Sequence, residues 1–293
     1  MKKRFLTLIL GASMILGLAA CGGSSSTSTD SQAEATTEAA ASGKTSITIF
    51  AAKSLNGVVD ELIASYNEEN PDVEIIPSYD SSGTLMEQIQ EGATCDIFFS
   101  AAQKQMDTLE EAGLVVSDTR KNVVNNQVCV VTYKDSGTKV TGLADIANAE
   151  SFALADGSVP VGKYTRQALV NAQMIPAADD VSLITTQEVS DALGGIEINE
   201  CANVGAVTAA VAEGSNEVGT VYKSDTYGLE DQLDILEIVS YDLTGDVIYP
   251  IAQIVNEEAD DAQSAAAVDF INYLTSDTAK AVYETYYFDT NVE

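Results

Sequence analysis

The chain has no histidine and no tryptophan, only 5 prolines in 293 residues, and 14 basic residues against 45 acidic ones. Without histidine, the commonest general base and the commonest neutral metal ligand are both missing, and no Ser-His or Cys-His nucleophile can be assembled. No serine stands in a Gly-x-Ser-x-Gly turn, so no enzymatic activity is expected. The shortage of lysine and arginine excludes a basic face for nucleic acid or for an anionic bilayer. Four cysteines occur, at positions 21, 95, 129 and 201, and none are spaced Cys-x-x-Cys, so neither a zinc site nor a dithiol redox motif is supported. Cys95 and Cys129 lie in apolar, strand-like runs and read as small buried hydrophobes. No particular disulfide among Cys95, Cys129 and Cys201 is favoured.

What is present begins with an export segment. Lys2-Lys3-Arg4 precede an apolar run from Phe5 to Ala20, sixteen residues that are too few for a membrane span of about 20. Residues 1–20 therefore read as a signal peptide. The run ends in Leu18-Ala19-Ala20-Cys21, which resembles the lipobox of bacterial lipoproteins. That resemblance implies acylation of Cys21 and anchoring to the outer face of the cell membrane. Gly22 to Lys44 contains no aromatic and no large aliphatic residue, so with Cys21 it forms a tether, residues 21–44, that cannot bury enough surface to order itself. Such a chain spans roughly 25 Å root-mean-square and at most about 70 Å. Removing Lys2, Lys3 and Arg4 from a formal charge of −31 leaves −34 on the remainder, so the lipid is the expected link to the membrane.

The remaining residues, about 250, alternate short β-branched runs with helical patterns. Ser46–Ala51, Val73–Ser78 and Asp96–Ser100 read as strands. Leu55–Asn67, Thr84–Gly92 and Gln103–Ala112 read as the helices between and after them. This order implies an α/β fold with mainly parallel sheets flanked by helices. Further on, Ser151–Ala155 and Val218–Tyr222 read as strands, and Tyr164–Asn171, Gly205–Glu213, Ala262–Leu274 and Asp277–Tyr286 as helices. Two longer apolar runs, Val128–Tyr133 and Val247–Val255, read as crossover strands between two lobes. The expected division is residues 45–130 plus 250–293 for the first lobe and 131–249 for the second.

Four places share one local grammar, in which a strand or loop ends in a small or polar residue and a helix starts at once: Ser54, Ser82, Val161-Gly162 and Asn203-Val204. A helix start carries unpaired N–H groups and the positive end of the dipole, so each is a potential anion contact. Singly, Ser54, Ser82 and Asn203 also read as ordinary helix caps, with Thr84 an alternative cap for the second helix. The third place lies in Ala155-Asp156-Gly157-Ser158-Val159-Pro160-Val161-Gly162-Lys163-Tyr164, where Gly-x4-Gly-Lys approaches a nucleotide-binding P-loop. Tyr164 stands where that loop needs Ser or Thr to hold magnesium, so a nucleotide is excluded.

Phe50-Ala51-Ala52-Lys53-Ser54-Leu55, Ser78-Tyr79-Asp80-Ser81-Ser82-Gly83-Thr84-Leu85, Gly92 to Ala101, Val221-Tyr222-Lys223-Ser224-Asp225 and Tyr249-Pro250-Ile251-Ala252 together resemble the molybdate-binding proteins of ABC transporters. The match runs in order from about Thr45 to Phe288. It implies a two-lobed, periplasmic-binding-protein-like fold of type II, closing on a tetrahedral oxyanion without any cofactor. Carried over by position, the ligand-binding residues are Ser54, Ser82, the amides of Val161 and Val204, and the hydroxyl of Tyr222. The alignment is least distinct at Val204, because Gly194–Cys201 reads as extra sequence. Lys53 reads as a solvated residue on the rim.

The implied ligand is molybdate, with tungstate, and the implied partner is an ABC permease served by a monomer; the only metal is the one inside the oxyanion. Screening beyond about 8 Å makes an acidic surface compatible with anion binding by buried dipoles. Charge-assisted hydrogen bonds worth roughly 1.5 to 3 kcal/mol each can together support submicromolar binding. Sulfate or phosphate is the alternative oxyanion, and a surface sensor or adhesin the alternative role.

Overall fold

The computed structural model describes residues 43–292. The expected signal peptide, the lipidated Cys21 and most of the tether lie outside the described residues. The chain opens with β1 (Thr45–Ala52), α1 (Asn56–Glu69), β2 (Val73–Asp80), α2 (Ser82–Gln90), β3 (Ile97–Phe99), α3 (Gln103–Glu111) and β4 (Lys121–Asn126). It continues through β5 (Val128–Tyr133), β6 (Ser151–Ala155), α4 (Pro160–Asn171), α5 (Thr186–Ala192), β7 (Glu197–Cys201), α6 (Val204–Ala212), β8 (Val218–Tyr222), β9 (Leu233–Ile238) and the short α7 (Tyr241–Thr244). It ends with β10 (Val247–Gln253), α8 (Asp261–Leu274) and α9 (Asp277–Thr285).

Alternation along β1 decides the layering of the first lobe. Ile47 and Ile49 face one way and Phe50 the other, and all are buried, as a strand covered on both faces requires. One face packs with Leu55, Val59 and Leu62 of the α1 region and Phe270 and Leu274 of α8. The other packs Phe50 and Phe98 with Leu85 and Ile89 of α2 and Met106 and Leu109 of α3. Each such side chain contributes about 1.5 to 3 kcal/mol by leaving water.

The strands form two mixed five-stranded sheets, β2-β1-β3-β10-β4 and β7-β6-β8-β5-β9. In each, three strands are parallel (β2, β1, β3 and β7, β6, β8), and the other two add antiparallel. In the second lobe α6 lies close on β8, because a Cβ at Gly219 would come within 2.6 Å of Val211 Cγ2 and 3.0 Å of Val207 Cγ1. The two apolar runs expected to cross between lobes each sit inside one sheet: β5 in the second, β10 in the first. The chain changes sheets at Gln127, between β4 and β5, and again between β9 and β10. Cys95, Cys129 and Cys201 are buried free thiols. Burial pushes the thiols of Cys95 and Cys129 up to about 12, as expected of inert core residues.

Candidate functional site

The parallel strands of both sheets point their carboxyl ends at the gap between the lobes, where α/β proteins gather ligands. β1 runs into Ser54, β2 into Ser82, β6 into Pro160-Val161, β7 into Val204, and β8 ends in Tyr222. Ser54, Ser82, Val161, Val204 and Tyr222 all line one small cavity of about 10 Å³, room for roughly one water-sized sphere between the closed walls. Three α-helices, α2, α4 and α6, begin at its wall, so their unpaired first-turn amides and dipoles converge there.

The local reasons differ at each start. Ser54 does not cap α1: it sits in a 3₁₀ turn, Lys53–Leu55, with no side-chain cap, and its Oγ lies 2.9 Å from Tyr249 Oη. Ser82 does not cap α2 either. The cap is Ser81, whose Oγ accepts the Thr84 N–H at 3.1 Å, while Ser82 is the first helical residue and its Oγ accepts the Ala101 N–H at 2.9 Å. Both serines are thereby released from capping; Ser82 has its hydroxyl hydrogen to give, and in the pair of Ser54 and Tyr249 either hydroxyl can be the donor. α4 begins at Pro160, four residues before the pattern suggested, since proline is pre-shaped for a first turn and lacks the N–H left unpaired there. Val161 is the next residue, so its N–H has no helical carbonyl to reach. Asn203 caps α6 as expected, accepting the Ala206 N–H at 3.0 Å, and places Val204 at the first helical position.

The Gly-x4-Gly-Lys pattern has a packing cause. A Cβ at Gly157 would meet Ser182 O at 2.2 Å, and one at Gly162 would meet Asp156 O at 2.1 Å and Ala155 O at 2.4 Å. Only glycine lets the α4 start lie this close to the end of β6. Behind it Arg166 is fully buried and makes no ion pair among the described residues. Its guanidinium donates to Ile184 O at 2.7 Å, Ala155 O at 2.8 Å, Gly162 O at 3.0 Å and Thr186 Oγ1 at 3.1 Å. Nothing in the helical pattern marked this residue.

Tyr222 is 1% exposed, and its hydroxyl has no hydrogen-bond partner. Its ring meets that of Tyr249 edge-on, centroids 5.8 Å apart, and the Tyr249 hydroxyl lies beside its own without meeting hydrogen-bond geometry. Burial holds the phenol well above the ordinary tyrosine value, and Tyr249, Tyr164 and Asp225 push the same way, so Tyr222 is a neutral donor. Asp225 accepts the Tyr222 N–H at 2.9 Å and steadies the strand end. Burial pushes its carboxyl up to about 7 against the pull of that bond, which removes part of its charge near neutral pH.

Among the described residues that line the cavity, Lys53 alone carries a charge. Expected on the rim, it is half-buried, with its stem against Gly205. A wider groove open to solvent shares Lys53 and Ser54 but carries Glu213, whose charge disfavours an anion, and the partly neutralised Asp225. The lobes meet around the cavity. Lys104 Nζ pairs with Asp180 Oδ2 at 2.7 Å and donates to Ser182 Oγ at 2.9 Å, and Asn203 Nδ2 donates to Asp80 Oδ1 at 3.1 Å. Among the described residues, no cluster of three acidic or cysteine side chains is placed to hold a metal ion.

Residues 47–289 match the family model of bacterial extracellular solute-binding proteins. The molybdate-binding protein ModA of Haemophilus influenzae is 32% identical over 258 residues, 85% of this chain and 91% of that relative. ModA of Escherichia coli is 29% identical over 251 residues, 83% and 88% of the two chains. Among solved structures, the periplasmic molybdate-binding protein of Azotobacter vinelandii superposes with a TM-score of 0.66 at 17% identity, covering 83% of this chain and 98% of that one. The resemblance read from the five motifs thus extends over the folded chain, and the architecture is the two-lobed type II fold. The chain belongs to the bacterial extracellular solute-binding proteins, a family of binders and not of enzymes.

Proposed function

We propose that this protein captures molybdate, and tungstate with it, and delivers the anion to an ABC permease. It works as a single chain held at the outer face of the membrane by a lipid on Cys21. One observation carries the ligand assignment: a buried, neutral Tyr222 hydroxyl without a partner, on the wall of a cavity whose other polar groups are poised to donate. Ser54 and Ser82 supply hydroxyls, and Val161 and Val204 supply helix-start amides. A ligand that satisfies such a wall offers acceptors on every side, as a fully ionised tetrahedral oxyanion does. A protonated phosphate would bury one donor against other donors, at a cost of about 1 to 3 kcal/mol. The names of the relatives agree with this reading.

Calorimetric titration with molybdate, tungstate, sulfate and phosphate tests it. The expected result is submicromolar binding of molybdate and tungstate, near −8 kcal/mol or tighter, with phosphate weaker by at least about tenfold. Preferential binding of sulfate or phosphate would reassign the ligand, and binding of none would remove the oxyanion reading.

A further inference from the structure

A hydroxyl can either donate or accept, so a wall of hydroxyls discriminates between anions only if something fixes each one's direction. For Ser54 that direction follows from a chain of hydrogen bonds behind it. The Asn126 side chain is oriented by its Oδ1, which accepts the Gln127 N–H at 2.9 Å, so its Nδ2 is the end that faces Tyr249 and Ser224. Nδ2 donates to Tyr249 Oη at 3.1 Å and to Ser224 Oγ at 2.8 Å. Tyr249 is fully buried, and its Oη, already accepting from Asn126, has Ser54 Oγ at 2.9 Å as the acceptor for its own hydrogen. The reverse arrangement would leave the buried Tyr249 hydrogen without an acceptor in hydrogen-bond geometry, since the neighbouring Tyr222 hydroxyl lies outside it. Ser54 therefore accepts from Tyr249, and its own hydrogen is left for the cavity.

Resting on the oxyanion reading above, we infer that Tyr249 is a positioning residue that fixes Ser54 as a donor. The chain Asn126 to Tyr249 to Ser54 then sets the site's preference for fully ionised over protonated anions. Turning Ser54 to accept from a ligand O–H would strand its own hydrogen. Ser224 belongs to the second lobe and Ser54 to the first, so the chain is assembled across the crossing point at Gln127.

Two substitutions test this, read as the ratio of molybdate to phosphate affinity at mildly alkaline pH, where phosphate is mainly the singly protonated dianion. Tyr249→Phe removes the fixed donor. It is expected to weaken molybdate about tenfold and to narrow the ratio about tenfold, because Ser54, no longer held by Tyr249, can rotate to accept the phosphate hydroxyl while giving its own hydrogen to a neighbouring phosphate oxygen. Asn126→Asp reverses the chain: the carboxylate accepts from Tyr249, Tyr249 accepts from Ser54, and Ser54 turns its lone pairs to the cavity. Its added charge repels both dianions alike, so a ratio lowered tenfold or more reports direction and not repulsion. Thermal melts establish that each variant is folded, and either folded variant suffices. A wild-type ratio in a folded variant, or loss of all anions by one common factor, overturns the inference and leaves the oxyanion reading standing. A wild-type protein that binds no oxyanion overturns both.

Discussion

Replacing Tyr222 with phenylalanine is expected to weaken molybdate binding by about tenfold to a hundredfold while leaving the ligand-free fold as stable as before, or more so. The two effects separate because the hydroxyl has nothing to bond in the fold itself. It is buried at the end of β8, unpartnered, and kept neutral by desolvation. An unmet buried donor costs stability, and a hydrogen bond to a charged ligand is worth roughly 1.5 to 3 kcal/mol. A tyrosine serving only as core would behave in the opposite way: truncation would lower the melting temperature and leave affinity alone. Calorimetry and thermal denaturation of the same variant distinguish the two.

Arg166→Met is expected to destabilise the fold by about 3 kcal/mol or more, the largest stability effect of any single substitution considered. Three buried acceptors, the carbonyls of Ala155, Gly162 and Ile184, and the half-buried Thr186 hydroxyl lose this donor together. Two of them, Ala155 O and Gly162 O, belong to the strand end and the helix start that present the Val161 amide. Arg166→Lys is not expected to restore the loss, since a single ammonium cannot reach acceptors arranged for a planar fork. Urea denaturation checks both. A methionine variant within about 1 kcal/mol of wild type would show that the surrounding carbonyls find other partners.

The central strands and most of the helices were legible in the chain because a strand buried on both faces or a helix with one apolar face leaves a strong periodic trace. β4, β7 and β9 were not, and all three are edge strands. Lys-Asn-Val-Val-Asn-Asn and Glu-Ile-Asn-Glu-Cys carry the polar residues that edges need, which erases the apolar signature. β7 is the stretch at Gly194–Cys201 that read as extra sequence. The five candidate residues followed from the strand-then-helix grammar together with the family resemblance; their gathering around one cavity is tertiary. Local reading misplaced the cap of α2 by one residue, on Ser82 instead of Ser81, since either serine satisfies a capping pattern. Tyr249 lay inside a quoted motif, yet its relation to Ser54 spans 195 residues and concerns the direction of a hydrogen bond. Arg166 looked like any helical arginine, because burial of a charge leaves no mark in spacing.

The central claim is that one tetrahedral oxyanion is held by donors from both lobes. Diffraction at the molybdenum absorption edge from crystals grown with molybdate tests it most directly. The expected result is a single strong anomalous peak inside the cavity, its oxygens about 3 Å from Ser54 Oγ, Ser82 Oγ, Tyr222 Oη and the Val161 and Val204 amide nitrogens. A peak in the neighbouring groove beside Glu213 and Asp225, or no bound molybdenum at all, would contradict it.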